Sequence, residues 1–195
     1  MTSFRTLVLL LLAASSAPTA TAAGVTSNPY FPARAEIVLE YSGTYEFKYL
    51  RVEMVPAPRD GYLIRSSGDQ SSSVDELVSR GDYTYWILGS SGEQWLKLKN
   101  SLHAGDTWRH RLRGWDQTYR VVSTDLVVDV PAGKFGNCAE VSISWIAHEH
   151  DFSGPQQVDL YLAPGIGIIK RVVHSNGSIK HEEVATSHAE PRLDG

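Results

Sequence analysis

The sequence predicts an all-β protein, a curved antiparallel meander that forms a half-barrel or barrel. Three observations lead to this prediction. Short runs rich in Val, Ile, Tyr, Phe and Trp alternate with turn signals such as Asp60-Gly61 and Asn176-Gly177. Helical signals are nearly absent. Several runs, including 83–88 and 168–173, are apolar on both faces, which indicates a sheet that is covered on both sides.

The strand-like runs follow one another along most of the chain. A typical one is 45–55, with Tyr45, Phe47 and Tyr49 on one face and Leu50, Val52 and Met54 on the other. One capping box, Ser73-x-x-Glu76, allows at most a single turn of helix, because only two apolar residues follow it. The predicted strand runs are 37–40, 45–55, 62–65, 83–88, 94–99, 107–113, 117–130, 138–150, 157–162, 166–174 and 178–184.

The N-terminus is typical of a signal peptide. Arg5 precedes an apolar run over 7–14, and Ala20-Thr21-Ala22 offers the small-x-small spacing of a cleavage site. The run is shorter than the roughly 20 apolar residues that span a bilayer, so we expect no transmembrane segment after cleavage. We therefore divide the chain into a signal peptide (1–23), an irregular lead-in (24–34), one β domain (35–185) and a flexible tail (186–195). The protein is expected to be secreted or periplasmic.

Composition excludes some classes of function. Hydrophobic residues make up 42% of the chain and charged residues 21%, as in an ordinary globular domain. The formal charge of −4 gives no general attraction to nucleic acid. Cys138 is the one cysteine, so no internal disulfide can form and packing must stabilise the fold. We expect Cys138 to be buried, since an unpaired cysteine packs as a small apolar residue.

Two histidines form the strongest candidate metal site. His148 and His150 project from one face of a predicted strand, which supplies half of a metal site. The alternative is a solvated strand end, because that face is the more polar one and the Ser153-Gly154-Pro155 turn follows. The sequence favours the alternative and implies no cofactor.

A row of arginines is the second candidate. Arg109, Arg111 and Arg113 line one face of a predicted strand, with Trp115 and Tyr119 just beyond. Arginine with aromatic rings can bind phosphates, carboxylates or single-stranded nucleic acid. The alternative, an exposed sheet face paired with acidic residues of a neighbouring strand, is favoured for an acidic chain. Motifs for catalytic nucleophiles, phosphate loops and zinc-protease helices are absent from the sequence, which lowers the expectation of an enzyme.

Three motifs resemble those of exported bacterial proteins of the TapB-like group. The first is a V-P-A-G-x-F…C turn that runs from Val130 to Cys138, and the second is an A-P-G-x-G-x-x-K turn that ends at Lys170. A Gly-Asp-x-Trp segment that ends at Trp108 precedes both. The resemblance covers roughly 95–175. It implies a curved antiparallel sheet that is similar in shape to lipoprotein-carrier folds, and it assigns no catalytic residue. Lipidation is common among such proteins, but this chain has no cysteine at its predicted cleavage point.

Backbone physics explains the motif residues as structural. Proline fixes one backbone angle, glycine permits a positive φ, and Phe135 can fold back as a plug. Gly167 is expected to let a ring or a backbone approach closely. The residues interpreted as structural are Pro131, Gly133, Phe135, Cys138, Pro164, Gly165 and Gly167.

The leading functional hypothesis is a non-catalytic exported module. Two-sided hydrophobicity, five Trp and nine Tyr suit a sheet that binds a lipid or another apolar small molecule, or an envelope protein. The alternatives are a structural or assembly component of the envelope and, less favoured, a metal-dependent enzyme that uses His148 and His150.

Overall fold

The structure, a computed structural model, describes residues 28–31, 37–43, 48–57, 61–69, 72–112, 114–147 and 157–189. Within these ranges it contains twelve β-strands and confirms the predicted all-β class. The first six strands are β1 Ile37–Gly43, β2 Tyr49–Pro56, β3 Tyr62–Gly68, β4 Ser72–Arg80, β5 Tyr83–Ile87 and β6 Gln94–Lys99. The second six are β7 Thr107–Leu112, β8 Trp115–Val130, β9 Gly133–Ala147, β10 Gln157–Ala163, β11 Gly167–Ser175 and β12 Ser178–Ala189. The predicted signal peptide lies outside the described residues.

The strands form one antiparallel sheet that curls into a nearly closed barrel. Its order is β6-β5-β4-β3-β2-β1-β12-β11-β10-β9-β8-β7. Two meanders of six strands therefore meet where β1 pairs with β12, with Leu39 opposite His188. The remaining edges belong to β6 and β7, so the seam of the barrel falls in the middle of the chain.

Alternation along each strand sends one set of side chains into the barrel. In β1 the buried residues are Ile37, Leu39 and Tyr41, whereas Glu40 lies between them on the outer face. Leu160 and Leu162 of β10 are fully buried in the same way. A continuous hydrophobic core fills much of the barrel and includes residues of both meanders.

Two elements differ from the sequence prediction. The turn of helix allowed at Ser73-x-x-Glu76 is wrong, because this segment belongs to β4 and pairs with β3 on one side and β5 on the other. Leu77 of β4 is 1% exposed, so tertiary burial overrides the local capping signal. In addition, β12 continues to Ala189, four residues beyond the predicted end of the β domain, because its last residues pair with β1. Among the described residues, no helix has the length and apolar character needed to cross a membrane.

Candidate functional site

A cavity of about 350 Å³ lies inside the barrel and is partly open. It is lined by eight strands that are consecutive in the sheet, from β11 through β12 and β1 to β6. Its volume falls within the range typical of small-molecule sites. Most of its wall is apolar, with Phe31, Leu50, Val52, Met54, Trp86 and Trp95 among the lining residues.

The predicted lead-in contributes part of this wall. Residues 28–31 form a turn in which Phe31 is 2% exposed and Asn28 is 1% exposed. The Asn28 amide donates to the Lys99 carbonyl (3.1 Å) and accepts from the Tyr30 backbone N–H (3.0 Å). The Gly165 backbone N–H donates to the Pro29 carbonyl at 2.8 Å. The segment thus bridges β6 and the β10–β11 turn, and it acts as an internal plug.

Gly167 makes room for this plug. Its φ is +110°, a conformation that L side chains rarely adopt. A Cβ atom at this position would lie 3.3 Å from Met54 Cε and 3.7 Å from Phe31 Cδ1. Phe31 and Met54, two cavity-lining residues, therefore pack against β11 at Gly167, the first residue of the strand.

Three polar groups face the cavity from β11, β12 and β1. Arg171 Nη2 donates to Glu183 Oε1 at 2.5 Å, and the Glu183 side chain is only 9% exposed. The Tyr41 hydroxyl donates to the Ile168 carbonyl, also at 2.5 Å. Burial raises the pKa of Tyr41, and the negative charge of Glu183 raises it further, so this phenol stays protonated. His181 Nε2 lies 3.9 Å from Glu183 Oε1.

Another polar side chain of the cavity wall fixes the position of a tryptophan ring. Asp75, 6% exposed, accepts from Trp86 Nε1 at 2.9 Å and from the Gly89 backbone N–H at 3.0 Å. The ring of Trp86 in turn packs edge-to-face against Trp95, with centroids 5.7 Å apart. Both carboxylate oxygens of Asp75 therefore have partners, and the rings of the two tryptophans are fixed in orientation.

Side chains join the two edge strands at the seam next to the cavity. The Lys97 backbone N–H donates to Tyr119 Oη (3.1 Å), and Trp108 Nε1 donates to the Lys97 carbonyl (2.7 Å). Gln117 Nε2 donates to the Trp95 carbonyl at 3.0 Å, and Gln117 Oε1 accepts from the Tyr119 hydroxyl. The seam is closed by side chains of β7 and β8 that bind the backbone of β6.

The outer face carries a separate polar cluster on β9, β10 and β11. His174 Nε2 lies 2.7 Å from Asp159 Oδ2, and Gln157 Nε2 donates to Asp159 Oδ1 at 2.9 Å. Burial and the neighbouring charge of Asp159 raise the pKa of Glu140. Burial and the charge of Glu140 raise the pKa of Tyr161 to about 12. These groups lie on the opposite side of the sheet wall from the cavity.

The residues of the V-P-A-G turn lie in the β8–β9 hairpin. Gly133 has φ +138°, Pro131 is exposed, and Phe135 is half-buried with its ring 5.5 Å from that of His188. Cys138 is fully buried, as expected, and burial raises the pKa of its thiol. Phe135 does not line the cavity, and the aromatic plug there is Phe31.

The residues of the A-P-G turn connect β10 and β11. Pro164 is exposed, Gly165 has φ +70°, and Gly167 has the contacts given above. The Gly-Asp-x-Trp segment ends at the seam, where Asp106 accepts from Lys99 Nζ at 3.1 Å and Trp108 binds Lys97. Two of the three motifs thus hold the plug and the seam.

The candidate metal ligands His148 and His150 lie outside the described residues. Within the described ranges, no group of three or more His, Cys, Asp or Glu side chains could hold a metal ion. The metal site at His148 and His150 stays a prediction.

Of the arginine row, Arg109 and Arg111 project outward from β7 and are exposed, and Arg113 lies outside the described residues. Arg111 Nε is 3.4 Å from Asp116 Oδ1 on the adjacent strand β8, which is the cross-strand pairing expected of an outer sheet face.

Sequence reasoning missed the polar residues of the cavity. Tyr41, Asp75, Arg171 and Glu183 belong to no motif. One signal was present, because the run from Ile168 to Val173 contains two adjacent charged residues, Lys170 and Arg171. Successive residues of a strand point to opposite faces, so one of the two must point inward in a strand that is paired on both sides. A charged residue in such a run indicates an inward-facing polar group with a partner.

Comparison with known proteins shows the fold. No protein-family model matches the sequence, and no curated protein matches it, so the resemblance to the TapB-like group stays a prediction. A solved structure from Bacteroides fragilis, described as an exported protein with a YmcC-like fold, aligns with 82% of this chain and 98% of its own at 14% identity, with a TM-score of 0.51. A structure described as a lipoprotein, from Parabacteroides distasonis, aligns with 83% of this chain and 99% of its own at 10% identity, with a TM-score of 0.47. The chain shares the fold of the Bacteroides fragilis protein.

Proposed function

We propose that the protein is a non-catalytic, exported binding module that holds an apolar small molecule inside its barrel. The observation that carries this proposal is the 350 Å³ cavity whose wall is built mostly from apolar and aromatic side chains. Burial of apolar ligand surface in such a site contributes about 25 cal/mol for each Å² removed from water. At about 30 Å³ for each water molecule in the liquid, the cavity has the volume of roughly a dozen waters, which suits one short-chain ligand or one of about two or three rings.

The location of the protein follows from its N-terminus. The apolar run and the small-residue cleavage spacing support export to the periplasm or the exterior. The Bacteroides fragilis protein with the same fold is itself described as exported, which agrees with this proposal.

An assembly role has less support. Large apolar side chains that are exposed in the described part of the chain are distributed over five strands: Tyr49, Val74, Val122, Val127, Ile146 and Ile179. Single exposed apolar residues are normal on soluble domains, whereas an assembly surface requires a contiguous patch.

Binding of N-phenyl-1-naphthylamine, an uncharged dye that fluoresces in apolar surroundings, tests the proposal. Ser66 lines the cavity, so Ser66→Trp places a ring inside it and should weaken dye binding at least tenfold. Ser67, the next residue of β3, is exposed on the outer face, so Ser67→Trp is the matched control and should bind as the wild type does.

Native mass spectrometry of detergent-free protein from its source provides the second measurement. A bound small molecule is expected in the wild type and not in Ser66→Trp. A wild-type protein that carries no ligand and does not bind the dye contradicts the proposal.

A further inference from the structure

The charges that face the cavity define which ligands fit it. Arg171 Nη2 donates to Glu183 Oε1 at 2.5 Å, so the formal charges of these two side chains cancel. Asp75 adds a carboxylate, and both of its oxygens accept from Trp86 and the Gly89 backbone. With two carboxylates against one guanidinium among the lining residues, the formal charge of the cavity wall is negative.

A negatively charged ligand head is therefore disfavoured in two ways. It must leave water for a site in which charges interact more strongly than in solvent, and there it meets the negative charge of Asp75. The cation that would compensate it, Arg171, is already bound by Glu183, which is only 9% exposed. An anionic head must compete with that carboxylate for the guanidinium.

An uncharged head avoids both penalties. A hydroxyl or secondary amine can donate to a carboxylate or accept from the guanidinium without disturbing the charge balance of the ion pair. The apolar part of the same ligand then lies against Val52, Met54 and Trp86. Arg171 and Glu183 together thus act as a neutral polar surface in an apolar cavity.

We propose that the cavity selects uncharged amphiphiles with a hydrogen-bonding head and rejects anionic ones such as fatty-acid carboxylates, because Glu183 neutralises Arg171. This inference rests on the proposed function and names the ligand class for the same site.

Two dyes with the same ring skeleton test the selectivity. N-phenyl-1-naphthylamine is uncharged, and 1-anilinonaphthalene-8-sulfonate differs from it by one sulfonate. We expect the wild-type protein to bind the uncharged dye at least about tenfold more tightly, which corresponds to about 1.4 kcal/mol.

Three variants separate the causes. Glu183→Gln removes the negative charge to which Arg171 Nη2 donates, so the affinity for the sulfonate dye should rise about tenfold while that for the uncharged dye changes little. Asp75→Asn removes the other carboxylate of the cavity wall and leaves the ion pair between Arg171 and Glu183 intact. It should raise the affinity for the sulfonate dye. Glu182→Gln is the matched control, because Glu182 pairs with Lys170 on the outer face of the same two strands and should leave both affinities unchanged.

The outcomes are distinguishable. Equal binding of both dyes by the wild type overturns the proposed selectivity but leaves the binding function in place. An unchanged ratio of the two dye affinities in both Glu183→Gln and Asp75→Asn has the same consequence. If Glu183→Gln loses its cooperative thermal transition, the ratio in Asp75→Asn decides. Failure of the wild type to bind either dye counts against the proposed function itself.

Discussion

Tyr119 and Lys97 connect the edge strand β6 to β8, the neighbour of the other edge strand β7, because the backbone N–H of Lys97 on β6 donates to the hydroxyl of Tyr119 on β8. Tyr119 is fully buried, and its ring stacks on Trp108 with centroids 5.0 Å apart. Since Trp108 binds the carbonyl of the same residue, both backbone polar groups of Lys97 have side-chain partners. The seam is therefore continuous with the core.

Tyr119→Phe tests this connection. The substitution keeps the stacked ring but removes the hydroxyl that accepts from the Lys97 N–H and donates to Gln117 Oε1, so we expect the free energy of unfolding to fall by about 1–3 kcal/mol. Urea unfolding measures the loss, and amide exchange of Lys97 should become faster. Tyr85→Phe is the control, because the Tyr85 ring is half-buried and packs edge-on against His110. Equal stability of the two variants would show that the seam bond contributes nothing.

Gly167→Ala tests the close approach beneath the plug. The added Cβ combines a positive φ with a 3.3 Å contact to Met54 Cε, and we expect a loss of about 1–3 kcal/mol. Gly177→Ala shares the positive φ, at +75°, but meets nothing within 4 Å, so it isolates the backbone strain. Thermal unfolding should rank Gly167→Ala below Gly177→Ala, and the opposite ranking would refute the packing argument.

Phe31→Ala tests the plug itself. Removing a ring that is 2% exposed should cost about 3–5 kcal/mol of stability. Because Phe31 lines the cavity, the variant should also accept bulkier uncharged ligands than the wild type does. Phe135→Ala, at a half-buried ring outside the cavity, should cost less and leave ligand size selection unchanged. Calorimetry and dye titration check the two effects separately.

Glu140→Gln tests the outer polar cluster through pH. The folded-state pKa of Glu140 is raised above its ordinary value of 4.5, first by burial and then by the charge of Asp159. The folded protein thus binds this proton more tightly than the unfolded chain, so the contribution of Glu140 to stability is present below pH 4.5 and is lost as pH rises through the folded-state pKa. The stability of the wild type relative to Glu140→Gln should fall across that window, as measured by urea unfolding at several pH values. A difference that rises with pH would contradict the sign.

Much of the fold could be predicted from alternation, but the cavity could not. The apolar runs of β5 and β11 indicated strands covered on both faces, and the turn glycines marked strand ends. Strand β4 was missed because Ser72, Ser73 and Asp75 carry no strand preference, and only pairing with strands on both sides makes the segment extended.

Bulges explain why inward-facing residues were difficult to assign. A register shift between Trp86 and Ile87 leaves Trp95 as an extra residue in β6. Trp95 therefore lines the cavity although the next residue, Leu96, is buried, which strict alternation would not allow. A second shift lies between Glu40 and Tyr41, where β1 meets β12. Each bulge changes the phase of alternation, and the sequence contains no signal for its position. The plug was missed for a related reason, since Asn28 and Phe31 are fixed by contacts with residues far along the chain.

The side-chain bonds at the seam also protect the protein from self-association. An edge strand with unpaired N–H and C=O groups is a template on which another chain can add a strand and begin to aggregate. On β6 the Trp95 carbonyl and both backbone groups of Lys97 are occupied by Gln117, Trp108 and Tyr119. Side chains of the same molecule thus occupy these backbone groups of the edge strand β6. The barrel can therefore lack backbone pairing between β6 and β7 and still resist polymerisation.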